Sequence, residues 1–328
     1  MRRIIVAMLL GVLLYGAFVI YGGYRQIGHT LAGFRWWTFA AALGLACANY
    51  GLRFLKWEYY LARLRIRGVP KLDSFLIFLS GFVLTVTPGK VGEVFKSAVL
   101  NATHGVATAR TAPIIVAERL TDVIGVISLI VLGSIGFSGG LRWAAVGSVC
   151  VALGMLLILW EAPGRFCVQW LEGRQGRLQS LAPKVREALA SLRLLASPAA
   201  LLWPSLLSVL GWGCEGFSLY LLLEGFGTSL SVPLAVFFYA TATLAGAIIP
   251  VPGGLGVAET MIQEQLVRLG GAPQATATSA MILVRFATLW WAVLVGFGAL
   301  ALLRRRFPGL MHDQGQKADS VIELEPSP

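Results

Sequence analysis

The chain has 328 residues, 57% of them hydrophobic and 13% charged, about half the charge of a soluble domain. That composition excludes a set of soluble domains and points to a helical bundle in lipid. The formal net charge is +11, but Lys and Arg fall between apolar runs, as in cytoplasmic loops facing anionic headgroups, so no nucleic-acid partner is expected.

The first element, after Met1-Arg2-Arg3, is an apolar run near 4–23. It is long for a signal peptide and has no small-x-small cleavage site, so a retained transmembrane helix is expected. Further full spans are expected near 37–60, 113–136, 142–160, 200–223 and 276–303. Two other apolar stretches, near 73–100 and 232–269, are interrupted by Pro and Gly. The segment 162–198 has Leu178, Leu181, Val185, Leu189, Leu192 and Leu195 at helical spacing. It reads either as an amphipathic helix on the inner membrane surface or as a solvated connector. The tail from about Met311 is polar and expected to be disordered.

Three basic clusters set the topology: Arg63, Arg65, Arg67 and Lys71; Arg165, Arg174, Arg177, Lys184, Arg186 and Arg193; and Arg304 to Arg306. With all three on the cytoplasmic side, the stretch 73–100 enters and leaves from inside, and 232–269 enters and leaves from outside. Both become re-entrant hairpins, and both termini are cytoplasmic. The first break reads Thr87-Pro88-Gly89-Lys90-Val91-Gly92-Glu93 and the second Pro250-Val251-Pro252-Gly253-Gly254-Leu255-Gly256-Val257-Ala258-Glu259. They share P-G-x-x-G at an offset of 164 residues, half the chain, with Arg119 27 residues after Gly92 and Arg285 29 after Gly256. The expected fold is an all-α polytopic membrane protein built as an inverted repeat, halves near 1–140 and 141–303. It has about six full transmembrane helices and two broken hairpins. Residues 304–328 follow as a basic stop and tail.

Lipid cannot satisfy backbone groups freed by Pro88, Gly89, Gly92, Pro250, Pro252, Gly253, Gly254 and Gly256, so the breaks must be buried in protein or face a polar cavity. In secondary transporters such breaks flank the substrate site; the competing reading is that they only let the chain reverse inside the bilayer. The helices starting after Gly92 and Gly256 would turn positive dipole ends toward mid-membrane, which suits a phosphate. Charges inside spans each cost at least ~2.5–3.5 kcal/mol at the bilayer centre. Lys90, Lys96, Arg119 and Arg285 are the candidates to hold a lipid phosphate or headgroup. Glu93, Glu118, Asp122, Glu215 and Glu259 are the candidates for charge pairing or proton relay, with Arg119 and Arg285 expected to pair with acids such as Glu93 and Glu259. The competing reading is that they form ion pairs which only hold helices together. Arg53, Lys56 and Glu58, near the inner end of the second span, are expected to snorkel to the interface.

Cys47, Cys150, Cys167 and Cys214 form no CxxC pair, and His29, His104 and His312 are dispersed. Neither a disulfide framework nor a metal site is expected, and no cofactor is called for. No P-loop occurs, so uphill transport would need an ion gradient.

The motifs Thr87 to Lys96, Glu118-Arg119-Leu120-Thr121-Asp122 and Pro250 to Glu259, with Arg285 before Trp290-Trp291 and Arg53 with Trp57, resemble the lysylphosphatidylglycerol synthase transmembrane region family of flippase-like membrane proteins. The resemblance spans about 4–303. Some members carry a soluble domain that transfers an aminoacyl group from tRNA to phosphatidylglycerol. The chain ends about 25 residues after its last span, so that domain and its synthase activity are not expected. Lys90 and Lys96 stand where members often have Arg, which keeps phosphate binding without the bidentate fork. The resemblance implies a flippase or transporter for an anionic or headgroup-modified lipid, in a bacterial cytoplasmic membrane. The alternatives are a membrane-embedded enzyme acting on a lipid headgroup, for which no catalytic constellation is visible, or a membrane partner of a lipid-modifying enzyme.

Overall fold

The computed structural model describes residues 24–86, 94–134, 182–249 and 251–308, with single positions at 20, 145, 149 and 170. The expected spans near 4–23 and 142–160, the first break from Thr87 to Glu93, Pro250 and the tail lie outside the described residues. Every element among those described is helical. Helix α1 is Tyr24–Ala32 and α2 is Trp36–Arg63; α3 (Lys71–Ser80) runs into a 3-10 turn at Gly81–Leu84, and α4 is Val94–His104. A short α5 (Thr108–Thr111) leads into α6 (Pro113–Gly133), and α7 is Ala182–Leu195. Then come α8 (Pro198–Gly225), α9 (Val232–Ile248), a 3-10 turn at Pro252–Gly254, α10 (Val257–Arg268), α11 (Gln274–Arg285) and α12 (Trp291–Arg306).

Helix α8 and the continuous stretch Gln274–Arg306 are long and apolar enough to cross a membrane. A third crossing is counted if α1 and α2, bent by 88°, form one broken span. The bend falls where Phe34 turns inward against Phe226, ring centroids 4.4 Å apart. The Arg35 N–H meets the Gly225 carbonyl at 3.1 Å. Trp36 and Trp37 are exposed there, as in an interfacial aromatic belt. Helix α6, with 21 residues, is about 31 Å long, enough for the hydrocarbon core, but it carries Glu118, Arg119 and Asp122. Close helix approach rests on small residues, as usual in membranes. A Cβ on Gly125 would lie 2.9 Å from Ser208, and one on Gly133 would lie 2.7 Å from the Pro233 carbonyl.

Two apolar clusters stack along α2. One joins Phe34 and Ala42 to α6, α8, α9, α10 and α11. The other joins Ala46 through Leu64 to α3, α4 and α12. The second cluster ends at a basic pole. Arg63, Arg65, Arg67, Lys71 and Arg304 to Arg306 are exposed, and Arg306 Nε lies 2.8 Å from Asp73 Oδ1 at the start of α3. Helix α7 joins the same pole: it packs on α5 and α6 and buries Ala182, Ser191 and Leu195 while Arg186 and Arg193 face outward. Over 182–195 the 162–198 segment is thus an amphipathic helix docked on the bundle.

Helices α3 and α4 pack together, as do α9 and α10. His104 at the end of α4 lies 3.8 Å from Asp73 near the start of α3, so this hairpin opens at the basic pole. Leu230, Leu266 and Ala272, flanking the other hairpin, share a cluster with Phe34 and Phe226 at the opposite pole. The deep ends meet: a Cβ on Gly253 would lie 3.4 Å from Val86 Cγ1. Val86 packs with Leu289, Val293 and Leu255.

Candidate functional site

Where the deep ends meet, a cavity of about 90 Å³, room for about three waters at their liquid volume, opens between the two apolar clusters. Its polar wall comprises Tyr50, Arg53, Glu215, Tyr239, Arg285 and Thr288, with Gly253 and Gly254 closing one side. Such a polar pocket in an apolar bundle can hold the headgroup end of an amphiphile.

Arg285 reaches the site because the second break is built around it. Gly253, Gly254 and Gly256 have φ of 62°, 69° and 86°, the left-handed region that glycine tolerates. The chain thereby turns so that the Gly253 carbonyl accepts from Arg285 Nη2 at 2.9 Å. Arg285 Nε meets Glu259 Oε1 at 2.7 Å, and Glu259 Oε2 accepts the Gly256 N–H at 2.8 Å. A π turn over Phe286–Trp290 follows Arg285, a distortion frequent at functional sites. The N-terminus of α10 thus differs from the open anion site expected. Its own Glu259, fully buried, sits at the positive dipole end.

The charges expected to snorkel do otherwise. Lys56 is 1% exposed and places Nζ 2.6 Å from Asp122 Oδ1 and 2.8 Å from Ser208 Oγ. Ser208 Oγ also donates to Asp122 Oδ1 at 3.1 Å, and Arg53 Nη2 lies 3.5 Å from Asp122 Oδ2. The α2 face carrying these cations turns toward α6 and α8, because an acid across the interface compensates each buried charge more fully than a long reach to water. Glu58, by contrast, pairs with Lys71 at the basic pole.

Lys96 is buried too, 2.7 Å from Glu118 and near the rings of Trp57 and Phe78, 5.0 and 5.3 Å from their centroids. Gly81 leaves room for its stem: a Cβ there would lie 2.5 Å from Lys96 Cγ. Neither Lys96 nor half-buried Arg119 lines the cavity. Lys90 and Glu93 lie outside the described residues. Of the sequence candidates, Arg285 and Glu215 line it, and Glu259 stands directly behind Arg285. Glu215 accepts from Asn49 Nδ2 and, at 2.6 Å, from the Tyr239 hydroxyl.

Sequence reasoning missed Asn49, Tyr50, Ser208, Tyr239 and Thr288 and misplaced Arg53 and Lys56. A signal existed on α2: Asn49, Tyr50, Arg53, Lys56, Trp57 and Tyr60 fall at helical spacing, a polar and aromatic stripe in an apolar span. Tyr239 and Thr288 offered none, since lone hydroxyls in apolar runs most often satisfy their own helix.

Fold and site together define an integral membrane protein, helical throughout its described residues, with a charged cavity inside the bundle. Residues 4–296 match the family described as Lysylphosphatidylglycerol synthase TM region, and the chain belongs to it. It is similar to the UPF0104 membrane protein MJ1078 of Methanocaldococcus jannaschii, 22% identical over 218 residues, covering 66% of this chain and 91% of that protein. The family is one of membrane proteins related to lipid metabolism.

Proposed function

We propose that the protein translocates an anionic or headgroup-modified lipid (aminoacyl-, glyco- or polyprenyl-phosphate) between leaflets of a bacterial cytoplasmic membrane, as a flippase or scramblase. The observation carrying this reading is the contact of Val86 with Gly253 beside a cavity walled by Arg53, Glu215 and Arg285. Two broken hairpins opening at opposite poles and touching at a polar cavity is the plan by which transporters place a site accessible in turn from either side. In this reading the halves near 1–140 and 141–303 are an inverted repeat, and the basic pole, with both termini, is cytoplasmic. The ion pairs support it. Lys96–Glu118 joins the returning arm of the first hairpin to the span that follows, and Glu259–Arg285 does the same for the second with the charges exchanged. The cavity takes the headgroup while the acyl chains stay in lipid, and no covalent step is assigned.

The test is leaflet exchange of headgroup-labelled lipids in proteoliposomes of the full-length protein, against protein-free vesicles. Wild type is expected to accelerate exchange, and Arg285→Ala and Glu259→Gln to reduce it at least about tenfold, the effect of removing about 1.4 kcal/mol of differential interaction. Folded wild type that moves neither phosphatidylglycerol, its aminoacyl form, a glycolipid nor a polyprenyl phosphate would overturn the reading.

A further inference from the structure

Tyr50, Arg53 and Lys56 on α2 and Asp122 on α6 set up one site. Tyr50 is 5% exposed and lines the cavity, yet its hydroxyl is sealed from water and meets no hydrogen-bond partner. Buried polar atoms are satisfied in the great majority of cases, so an orphan beside a cavity marks a missing partner. Arg53, three residues on and on the same helical face, lines the same cavity. Its guanidinium stacks over Trp212, 5.9 Å from the ring centroid, and approaches Asp122 Oδ2 only at 3.5 Å. That oxygen too lacks a hydrogen-bond partner. Asp122 is shared between Lys56, at 2.6 Å, and Arg53, and the guanidinium of Arg53, though its charge is matched, makes no hydrogen bond with its N–H groups among the described residues.

We infer that Tyr50 and Arg53, in the cavity that Arg285 also lines, form an oxyanion subsite that binds the phosphate of a phosphoester. The phenol supplies one O–H donor and the guanidinium a fork of N–H donors, a set that matches an acceptor-only, negatively charged group. Arg285 is paired with Glu259 and the Glu215 oxygens accept from Asn49 and Tyr239, which leaves the Tyr50 hydroxyl and the Arg53 N–H groups as donors on the wall for a ligand to meet. A cationic group would leave both the phenol and the guanidinium unmatched, and a neutral acceptor oxygen would meet the donors without the charge assistance that a phosphate adds. This inference rests on the transport reading only in taking the cavity as a ligand site.

The test follows thermal unfolding of the full-length protein in neutral detergent during titration with dihexanoyl-phosphatidylglycerol, with inorganic phosphate and phosphate-free dihexanoylglycerol as separate arms. Ligand binding to the folded state raises Tm by mass action. Wild type is expected to respond to a phosphate-bearing probe and not to dihexanoylglycerol. Tyr50→Phe and Arg53→Gln are expected to weaken the response roughly ten- to a hundredfold in apparent affinity, as for a hydrogen bond to a charged group. Tyr50→Phe is also expected to keep or raise the ligand-free Tm, because it removes an orphan hydroxyl without changing shape. A response to lipid alone identifies a headgroup phosphate, and an equal response to inorganic phosphate identifies the free anion. The subsite is overturned if wild type responds to neither phosphate probe, or if Tyr50→Phe titrates like wild type. It is also overturned if Tyr50→Phe lowers the ligand-free Tm at unchanged affinity, the mark of a hydroxyl held by structural water. Leaflet exchange by wild type with indistinguishable titrations would remove the subsite and leave transport standing; probe binding without exchange would do the reverse.

Discussion

Arg285 holds both shoulders of the second break: Nε lies 2.7 Å from Glu259 Oε1 on α10, and Nη2 lies 2.9 Å from the Gly253 carbonyl ahead of that helix. One guanidinium therefore satisfies a backbone acceptor freed by the Pro-Gly turn and neutralises the acid that caps the following helix. The break, the cap and the cavity wall become one unit.

Removing one partner of that unit leaves a buried charge unmatched. Glu259→Leu and Arg285→Leu, each alone, are expected to lose about 3–5 kcal/mol of stability, and the double variant to lose less than either. Thermal unfolding in detergent measures this; a double variant as damaged as the sum of the singles would show that the pair does not act as a pair. Arg285→Lys keeps the charge but not the fork, so it should retain more stability than Arg285→Leu while losing the bond to Gly253.

Lys96 and Glu118 form the corresponding link beside the first hairpin, away from the cavity. Here Lys96→Met with Glu118→Leu together should restore most of the about 3–5 kcal/mol lost by Lys96→Met alone. Gly81→Ala sets a Cβ 2.5 Å from Lys96 Cγ and is expected to cost about 1–3 kcal/mol. If Lys96→Met alone unfolds no earlier than wild type, the pair is not a stabilising contact.

On α12, two glycines two residues apart, and so on opposite faces of the helix, make opposite predictions. A Cβ on Gly296 would lie 2.6 Å from the Val83 backbone nitrogen, whereas one on Gly298 meets nothing within 4 Å. Gly296→Ala should destabilise by about 1–3 kcal/mol through overpacking against the 3-10 turn. Gly298→Ala should be neutral or stabilise by up to about 1 kcal/mol, since alanine is the better helix former. Equal Tm values for the two variants would contradict the packing of α12 on Gly81–Leu84.

Sidedness is measurable with single cysteines on a background in which all four native cysteines are serine. Arg67→Cys and Arg305→Cys, at the basic pole, should react with a membrane-impermeant maleimide from the same face. Thr228→Cys, beside the turn at Gly227, should react from the opposite face. Labelling of Arg67→Cys and Arg305→Cys from different faces would contradict the shared pole, at which Arg306 Nε lies 2.8 Å from Asp73 Oδ1.

Several features were legible in the residues alone, for a physical reason: they depend on local order along the chain. Apolar runs, the Pro-Gly breaks and the basic clusters are set by composition over a window, so they mark out the helical membrane class, the interrupted stretch near 232–269 and the shared pole of residues 63–71 and 304–306. The pairing of Arg285 with Glu259 was also readable, because two opposite charges within one apolar half have few other ways to be compensated. Which charges face the cavity was not readable. That depends on helix phase and depth, where a rotation of one residue, about 100°, exchanges wall for interior. Tertiary packing alone turned Lys56 to Asp122 and Lys96 to Glu118, brought Arg53 and Tyr50 to the cavity, and closed the start of α10 with its own Glu259. In each case the low-dielectric interior demands a partner for every buried polar group, and only the folded chain decides which partner lies within reach.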